Sequence, residues 1–210
     1  MRITVDCRLW ALPKDQMIIQ KEILFIHGAG PQGPFEGSTG LVAYLKEALG
    51  KSYWIKCPKM PEPENPRYEH WKQKIENEMA MIDGEVILVA HSLGGSVLLK
   101  YLSEEKFNKP IAGLFLVAAA YWGVKDWEID EYILQKDFAK KIPSIQKIFL
   151  YHCRGDEWVP FEHAGYYAKK LPQANVRILE GNTHDFSCGL PEIIDDIRSL
   201  RANFEMRMFG

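Results

Sequence analysis

No run in this 210-residue chain approaches the roughly 20 consecutive apolar residues that a membrane-spanning helix needs. Charge of one sign is missing as well. Lys and Arg number 26 against 28 Asp and Glu, a net charge of −2, which gives no electrostatic basis for binding nucleic acid or an anionic membrane. Cysteine is scarce and scattered: Cys7, Cys57, Cys153 and Cys188 form no C-x-x-C pair, which argues against a disulfide scaffold or a zinc knuckle. The N-terminus lacks the basic, apolar and small-residue order of a secretion signal. Reduced thiols and a cytoplasmic location are therefore expected. There is no internal repeat, low-complexity tract or inter-domain linker. The length and the 47% hydrophobic content suit one domain over residues 1–210 with a sizeable core.

What is present is an alternation of short apolar runs with segments of helical spacing. Ile3, Val5, Cys7 and Leu9 alternate with polar residues, as in a half-buried strand near a sheet edge. Ile23–Ile26 is continuously apolar, the mark of a strand buried on both faces. Further strands are expected at 53–55, 86–90, 111–119, 145–153 and 176–179. Helices are expected from a cap at Ser38 or Thr39 through Leu49, over 68–81, from Ser92 to about Leu102, and over 190–204. Strands alternating with helices imply a largely parallel sheet covered on both faces.

The strand Val86–Ala90 stops at His91-Ser92-Leu93-Gly94-Gly95, where a helix-compatible segment begins. This is the layout of a nucleophile elbow, a tight strand-to-helix turn with the serine at its apex. The first small position is Ala90 in place of glycine, giving A-x-S-x-G. The competing reading is a serine that merely caps an ordinary helix.

A serine hydroxyl is a weak nucleophile until a base takes its proton, and the base needs a carboxylate to orient it. In such folds the chain order is serine, acid, histidine. His184 lies in a loop after the last strand, near the end of the chain. Asp156 follows the strand ending at Cys153, with Glu157 as its nearest competitor. Asp126, Asp130 and Asp137 fall in the preceding connection and read as solvated charges. The backbone N–H groups of Leu93 and of Ala29, in His27-Gly28-Ala29-Gly30, are the candidate oxyanion donors. His27 and His91 read as structural neighbours of these turns.

Two decoys are set aside. Gly28-Ala29-Gly30-Pro31-Gln32-Gly33 matches G-x-G-x-x-G formally. A dinucleotide site needs a helix opening within the glycines, whereas Pro31 and Pro34 interrupt it and no helical pattern begins before about Leu41. Cys188, close to His184, suggests a thiol nucleophile but has no elbow around it.

With these residues assembled, the chain resembles the α/β-hydrolases, and more closely the small serine hydrolases related to retinoblastoma-binding protein nine. The resemblance rests on His27–Gly30, on Met60-Pro61-Glu62-Pro63 leading to Pro66–Trp71, and on the elbow at Ser92. It continues through Gly155–Pro160 and Thr183-His184-Asp185-Phe186. It implies a three-layer α/β-hydrolase fold with a mostly parallel central sheet, helices on both faces and a minimal cap or none. It also implies Ser92 as nucleophile, Asp156 as acid and His184 as base. Asp185 stands between His184 and Phe186, where glycine-histidine-phenylalanine is common, a carboxylate placed either to act on the base or to face water.

The expected activity is hydrolysis of a small carboxylic ester, or a thioester or short amide, through an acyl-enzyme. It requires no metal or cofactor. Tyr121, Trp122 and Trp158 are candidate pocket residues, with Trp127, Tyr132 and Phe138 in the same aromatic stretch. The substrate is expected to be a small acyl compound, and no protein partner is indicated. The alternative is a binding or scaffolding protein on a hydrolase fold, since fold alone does not establish function.

Overall fold

The computed structural model describes residues 21–208. Its strands are β1 (Lys21–Ile26), β2 (Tyr53–Lys56), β3 (Val86–His91), β4 (Ile111–Val117), β5 (Ile148–Cys153) and β6 (Asn175–Leu179). They form one sheet in the order β2-β1-β3-β4-β5-β6, parallel throughout. The helices are α1 (Thr39–Leu49), α2 (Tyr68–Ala80), α3 (Leu93–Glu104), the single turn α4 (Phe138–Lys141), α5 (Glu162–Lys170) and α6 (Pro191–Met208).

Strand side chains point alternately to the two faces of a sheet, and here the two sets pack into separate cores. Ile23, Phe25, Ile87, Val89, Phe115 and Val117 meet Leu41, Val42 and Leu45 of α1 and Ile193, Ile194 and Ile197 of α6. Leu24, Ile26, Leu88, Ala90, Leu114 and Leu116 meet Trp71, Ile75 and Met79 of α2, Val97 and Leu98 of α3 and Tyr167 of α5. Strands buried on both sides are why these segments read as unbroken apolar runs. The architecture is the expected three-layer α/β-hydrolase sandwich with a minimal cap: between β4 and β5 the chain forms only loops, one 3-10 turn and α4.

Several boundaries differ from expectation for local reasons. β4 ends at Val117 rather than Ala119, because Ala118 turns the chain at φ 46°. β5 starts at Ile148, and Ile145 is buried without joining the ladder. Ser38 occupies the position before α1, yet its hydroxyl makes no cap bond, so the predicted helix cap is corrected. Helix α5 was not expected; its apolar side is short, with only Ala164 and Tyr167 buried beside His163. The predicted strand at Ile3–Leu9 lies outside the described residues.

The loops that follow β1, β3, β4, β5 and β6 all emerge at the carboxyl edge of the sheet, where α/β folds place their sites.

Candidate active site

Ser92 stands alone between β3 and α3 at φ 52° and ψ −126°, a backbone region that non-glycine residues adopt only when their surroundings enforce it. Its N–H donates to the Val117 carbonyl at 2.8 Å, and its carbonyl accepts the N–H of Gly95 at 3.0 Å. The small residues around it are required by space. A Cβ on Gly28 would come 3.1 Å from that of Ser92, and one on Gly95 would lie 2.7 Å from the Cβ of Ala119. Ala90 is fully buried and fits within the sheet. The hydroxyl of Ser92 makes no cap bond to α3, so the helix-cap reading of this serine is not what the structure shows.

The hydroxyl meets His184 instead. Ser92 Oγ lies 3.0 Å from His184 Nε2, while His184 Nδ1 lies 2.9 and 3.0 Å from the two carboxylate oxygens of Asp156. A carboxylate accepts, so Nδ1 carries the proton and the lone pair of Nε2 faces the serine. The turn after β5 holds Asp156 in place. Its Oδ1 accepts the N–H groups of Trp158 and Val159, each at 2.9 Å. His152 Nε2 donates to the Val159 carbonyl at 2.8 Å from the other side of the turn. Burial of Asp156 opposes ionisation, but the bonds from His184 and from the Val159 and Trp158 amides outweigh it and hold the carboxyl below its ordinary value. Glu157, the competing acid, is exposed at the cavity rim.

Ala29 and Leu93 both border the cavity at Ser92. The amides flanking Ala29 are engaged: Gly28 N–H donates to Ser38 Oγ at 3.0 Å and Gly30 N–H to the Pro63 carbonyl at 2.7 Å. This loop is therefore pinned on either side of Ala29. No helix opens in it before Thr39, which leaves a dinucleotide no helix N-terminus to face. His27 Nε2 lies 2.8 Å from Cys57 Sγ. Burial lowers the pKa of His27 to about 4 and pushes the thiol up to about 12, so the pair is neutral and structural. Cys188 is exposed and does not border the cavity.

The cavity above Ser92 has a volume of about 880 Å³. Trp122, Trp127, Ile129 and Tyr132 form an apolar side. Trp122 is anchored by its Nε1–H donating to Ser96 Oγ at 3.1 Å, and its ring packs 5.0 Å from those of Trp127 and Tyr132. Trp158 borders the opening, 75% exposed, its ring 6.5 Å from that of His184. Tyr121 must be corrected as a pocket residue. It does not line the cavity, and its ring packs against Tyr166 and Tyr167 at 5.5 and 5.0 Å. Phe138 is fully buried in the core. Asp185 is not aimed at the base. Burial opposes its ionisation, but its carboxylate accepts from the Ser187 amide and the Thr183 hydroxyl, which lower its pKa and shape the turn.

Sequence reasoning missed the parts of Ser38 and His91. Ser38 looked like a helix cap and His91 like a packing neighbour, yet both border the cavity and hydrogen-bond to each other. Nothing local signals such a bond, because 53 positions separate the two residues.

A parallel sheet wound on both faces, with a strained serine elbow at its carboxyl edge, defines an α/β-hydrolase. Within that class the chain belongs to the serine hydrolase family, whose model matches residues 41–186 and so includes Ser92, Asp156 and His184. It is similar to YdeN of Bacillus subtilis, with 26% identity over 124 residues. That match spans 58% of this chain and 65% of the relative's length. The crystal structure of the ydeN gene product superposes with a TM-score of 0.74 at 22% identity, covering 87% of this chain and all of that one. The serine hydrolase CarC of carbazole degradation aligns at a TM-score of 0.65 with 15% identity, over 87% of this chain and 91% of its own. The meta-cleavage product hydrolase CumD of Pseudomonas fluorescens IP01 aligns at 0.63 with 15% identity, over 88% and 89%. At these identities the structural matches speak for the fold.

Proposed function

We propose that this protein hydrolyses a small, uncharged carboxylic ester through an acyl-enzyme on Ser92. The observation that carries the reading is the unbroken line from Ser92 Oγ to His184 Nε2 at 3.0 Å, and from His184 Nδ1 to the buried carboxylate of Asp156. In the first half-reaction Oγ attacks the carbonyl carbon while Nε2 takes its proton. Asp156 stabilises the resulting imidazolium, and the amides of Ala29 and Leu93 receive the oxyanion. The bond to the leaving alkoxide then breaks as His184 returns the proton to it. Water repeats the sequence on the acyl-enzyme and releases the acid. The apolar side of the cavity suits the acyl or alcohol group. A thioester or short amide would use the same steps.

Among the described residues no helix is long and apolar enough to cross a membrane. The test is labelling with a fluorophosphonate, beside Ser92→Ala and His184→Ala variants shown to be folded by circular dichroism. Labelling of the parent alone, at Ser92, is expected. A well-folded parent that takes up no label would overturn the proposal and favour a binding role on a hydrolase fold.

A further inference from the structure

The hydrogen bonds of His91 take no part in the acyl transfer described above, yet they join two loops on which it depends. His91 ends β3, directly before Ser92, and is buried. Its Nε2 lies 2.7 Å from the carbonyl oxygen of His184. A carbonyl only accepts, so Nε2 carries the proton and Nδ1 is left with its lone pair. Nδ1 is 2.9 Å from Ser38 Oγ, so that hydroxyl donates to it. The hydroxyl oxygen in turn accepts the Gly28 amide at 3.0 Å. The run is complete and runs one way: Gly28 N–H to Ser38 hydroxyl, Ser38 hydroxyl to His91 imidazole, His91 N–H to His184 carbonyl. One end is the residue before Ala29, and the other is the backbone of the candidate base.

Two further observations agree with a fixed, uncharged ring. Burial and the neighbouring His184 together lower the pKa of His91 to about 3. The two imidazole centroids are only 4.8 Å apart, so a charged His91 would oppose the imidazolium that acyl transfer creates on His184. The space around the ring is also taken. A Cβ on Gly28 would sit 3.1 Å from His91 Nδ1, and the ring of Phe186 packs edge-on at 6.4 Å.

We propose that His91, acting with Ser38, is a positioning residue that locks the backbone carrying His184 to the loop carrying the Ala29 amide. The inference rests on the hydrolase reading above. It assigns to His91 the relative placement of base and oxyanion donor, a geometry in which a shift of about 1 Å costs up to about 100-fold in rate.

The test is steady-state hydrolysis of p-nitrophenyl acetate by the parent, His91→Leu, His91→Gln and Ser38→Ala, with thermal melting of each. Leucine keeps bulk but removes both bonds. It is expected to lower kcat about 10- to 100-fold while KM changes by less than about twofold. Glutamine offers an amide N–H toward the His184 carbonyl and an amide oxygen toward Ser38, and recovers most of the loss. Ser38→Ala slows the parent less, and adds nothing in the His91→Leu background, because both changes break the same run of bonds. A folded His91→Leu variant with the parent's kcat would overturn the inference. So would a loss that glutamine fails to restore while restoring the melting temperature, since that pattern marks a purely structural role. If His91→Leu does not fold, Ser38→Ala decides, and an unchanged kcat there overturns the inference. A parent that neither turns over the ester nor takes up a fluorophosphonate fails one step earlier, and removes the hydrolase reading together with this one.

Discussion

Gly94, two residues past the elbow serine, faces the backbone of His27 so closely that a methyl group in place of its hydrogen would overlap the His27 carbonyl oxygen and lie 2.9 Å from that of Ile26. The start of α3 and the end of β1 are thus pressed together, which brings the Ala29 loop next to Ser92. Both obstacles are backbone atoms, one in β1 and one in the residue directly after it, so neither can rotate away. Gly94→Ala is expected to destabilise the fold by about 3 kcal/mol or more, in the upper range for overpacking. Fluorophosphonate labelling should fall in whatever fraction remains folded. An alanine variant with parental melting temperature and labelling would show that the elbow has slack there.

Asp156 receives N–H bonds from Trp158 and Val159 as well as from His184. An asparagine can keep the backbone bonds through its oxygen but loses the negative charge that favours the imidazolium. It also offers His184 a neutral amide that can turn the ring to the wrong tautomer. Asp156→Asn is therefore expected to lower kcat for p-nitrophenyl acetate by about 10³- to 10⁴-fold, the size seen for this change in serine proteases. The melting temperature at neutral pH should move much less. A loss below about tenfold would assign the acid role elsewhere, with Glu157 the next candidate to substitute.

How much of this was legible beforehand follows from the range of each interaction. The central strands could be read directly, because burial on both faces leaves an unbroken apolar run such as Ile23–Ile26. Ser92, Asp156 and His184 could be placed because each follows its own strand, and a parallel sheet sends all such loops to one edge. Tyr121 and Trp122 are adjacent and equally aromatic, yet one turns into the α5 side of the core and the other into the cavity. No local pattern separates them, since the outcome depends on where Tyr166, Tyr167 and Ser96 lie. The Ser38–His91 bond was hidden for the same reason, and helix-cap chemistry offered a ready but mistaken use for that serine.

Acid should weaken the fold over a definite pH window. His163 accepts the Tyr121 amide at Nδ1 and packs 4.7 Å from Trp127. Burial, and next the neighbouring His152, lower its pKa from 6.5 to about 4. Below pH 6.5 the unfolded chain binds a proton that the folded chain refuses, so stability declines as pH falls toward about 4, and this contribution then levels off. His27 adds a similar decline. The lowered carboxyl of Asp156 acts in a more acidic window: its contribution is present above the ordinary carboxylate value and is lost as pH falls through the folded value. Melting temperature measured across this range should fall steadily, and His163→Gln should flatten the slope by up to about 1.4 kcal/mol per pH unit. An identical slope in the variant would mean that His163 does not titrate with unfolding.

The apolar side of the cavity gives a graded expectation for acyl length. If the acyl chain lies against Trp122 and Trp127, each added methylene gains about 0.8 kcal/mol, or about fourfold in kcat/KM. p-Nitrophenyl butyrate should then be cleaved faster than the acetate by about tenfold or more. Trp127→Ala should compress that ratio while leaving acetate turnover nearly unchanged. A ratio that is flat in the parent would place the alcohol group, not the acyl group, on this side.

Charge should discriminate as sharply as size. Glu64, Glu131, Glu157 and Asp185 border the cavity, and among the described residues no Lys or Arg does. Two of these carboxylates are engaged, Glu131 by the Tyr68 amide and Asp185 by Thr183 and Ser187, but neither cavity-lining charge is thereby removed. Arg67 reaches Glu131 only at 3.4 Å, and the Arg67 side chain is largely exposed. A substrate bearing its own carboxylate would thus enter a field of like sign, at a cost of about 2 kcal/mol for charges some 7 Å apart at an effective dielectric near 20. Dimethyl succinate should therefore be hydrolysed with a kcat/KM about tenfold or more above that of monomethyl succinate. Raising the salt concentration should narrow the gap, and Glu157→Gln, at the exposed rim, should narrow it at low salt. Equal rates for the two esters would show that the acidic side chains do not face the bound substrate. A preference for the monoester would require a cation at the site that none of the cavity-lining residues supplies.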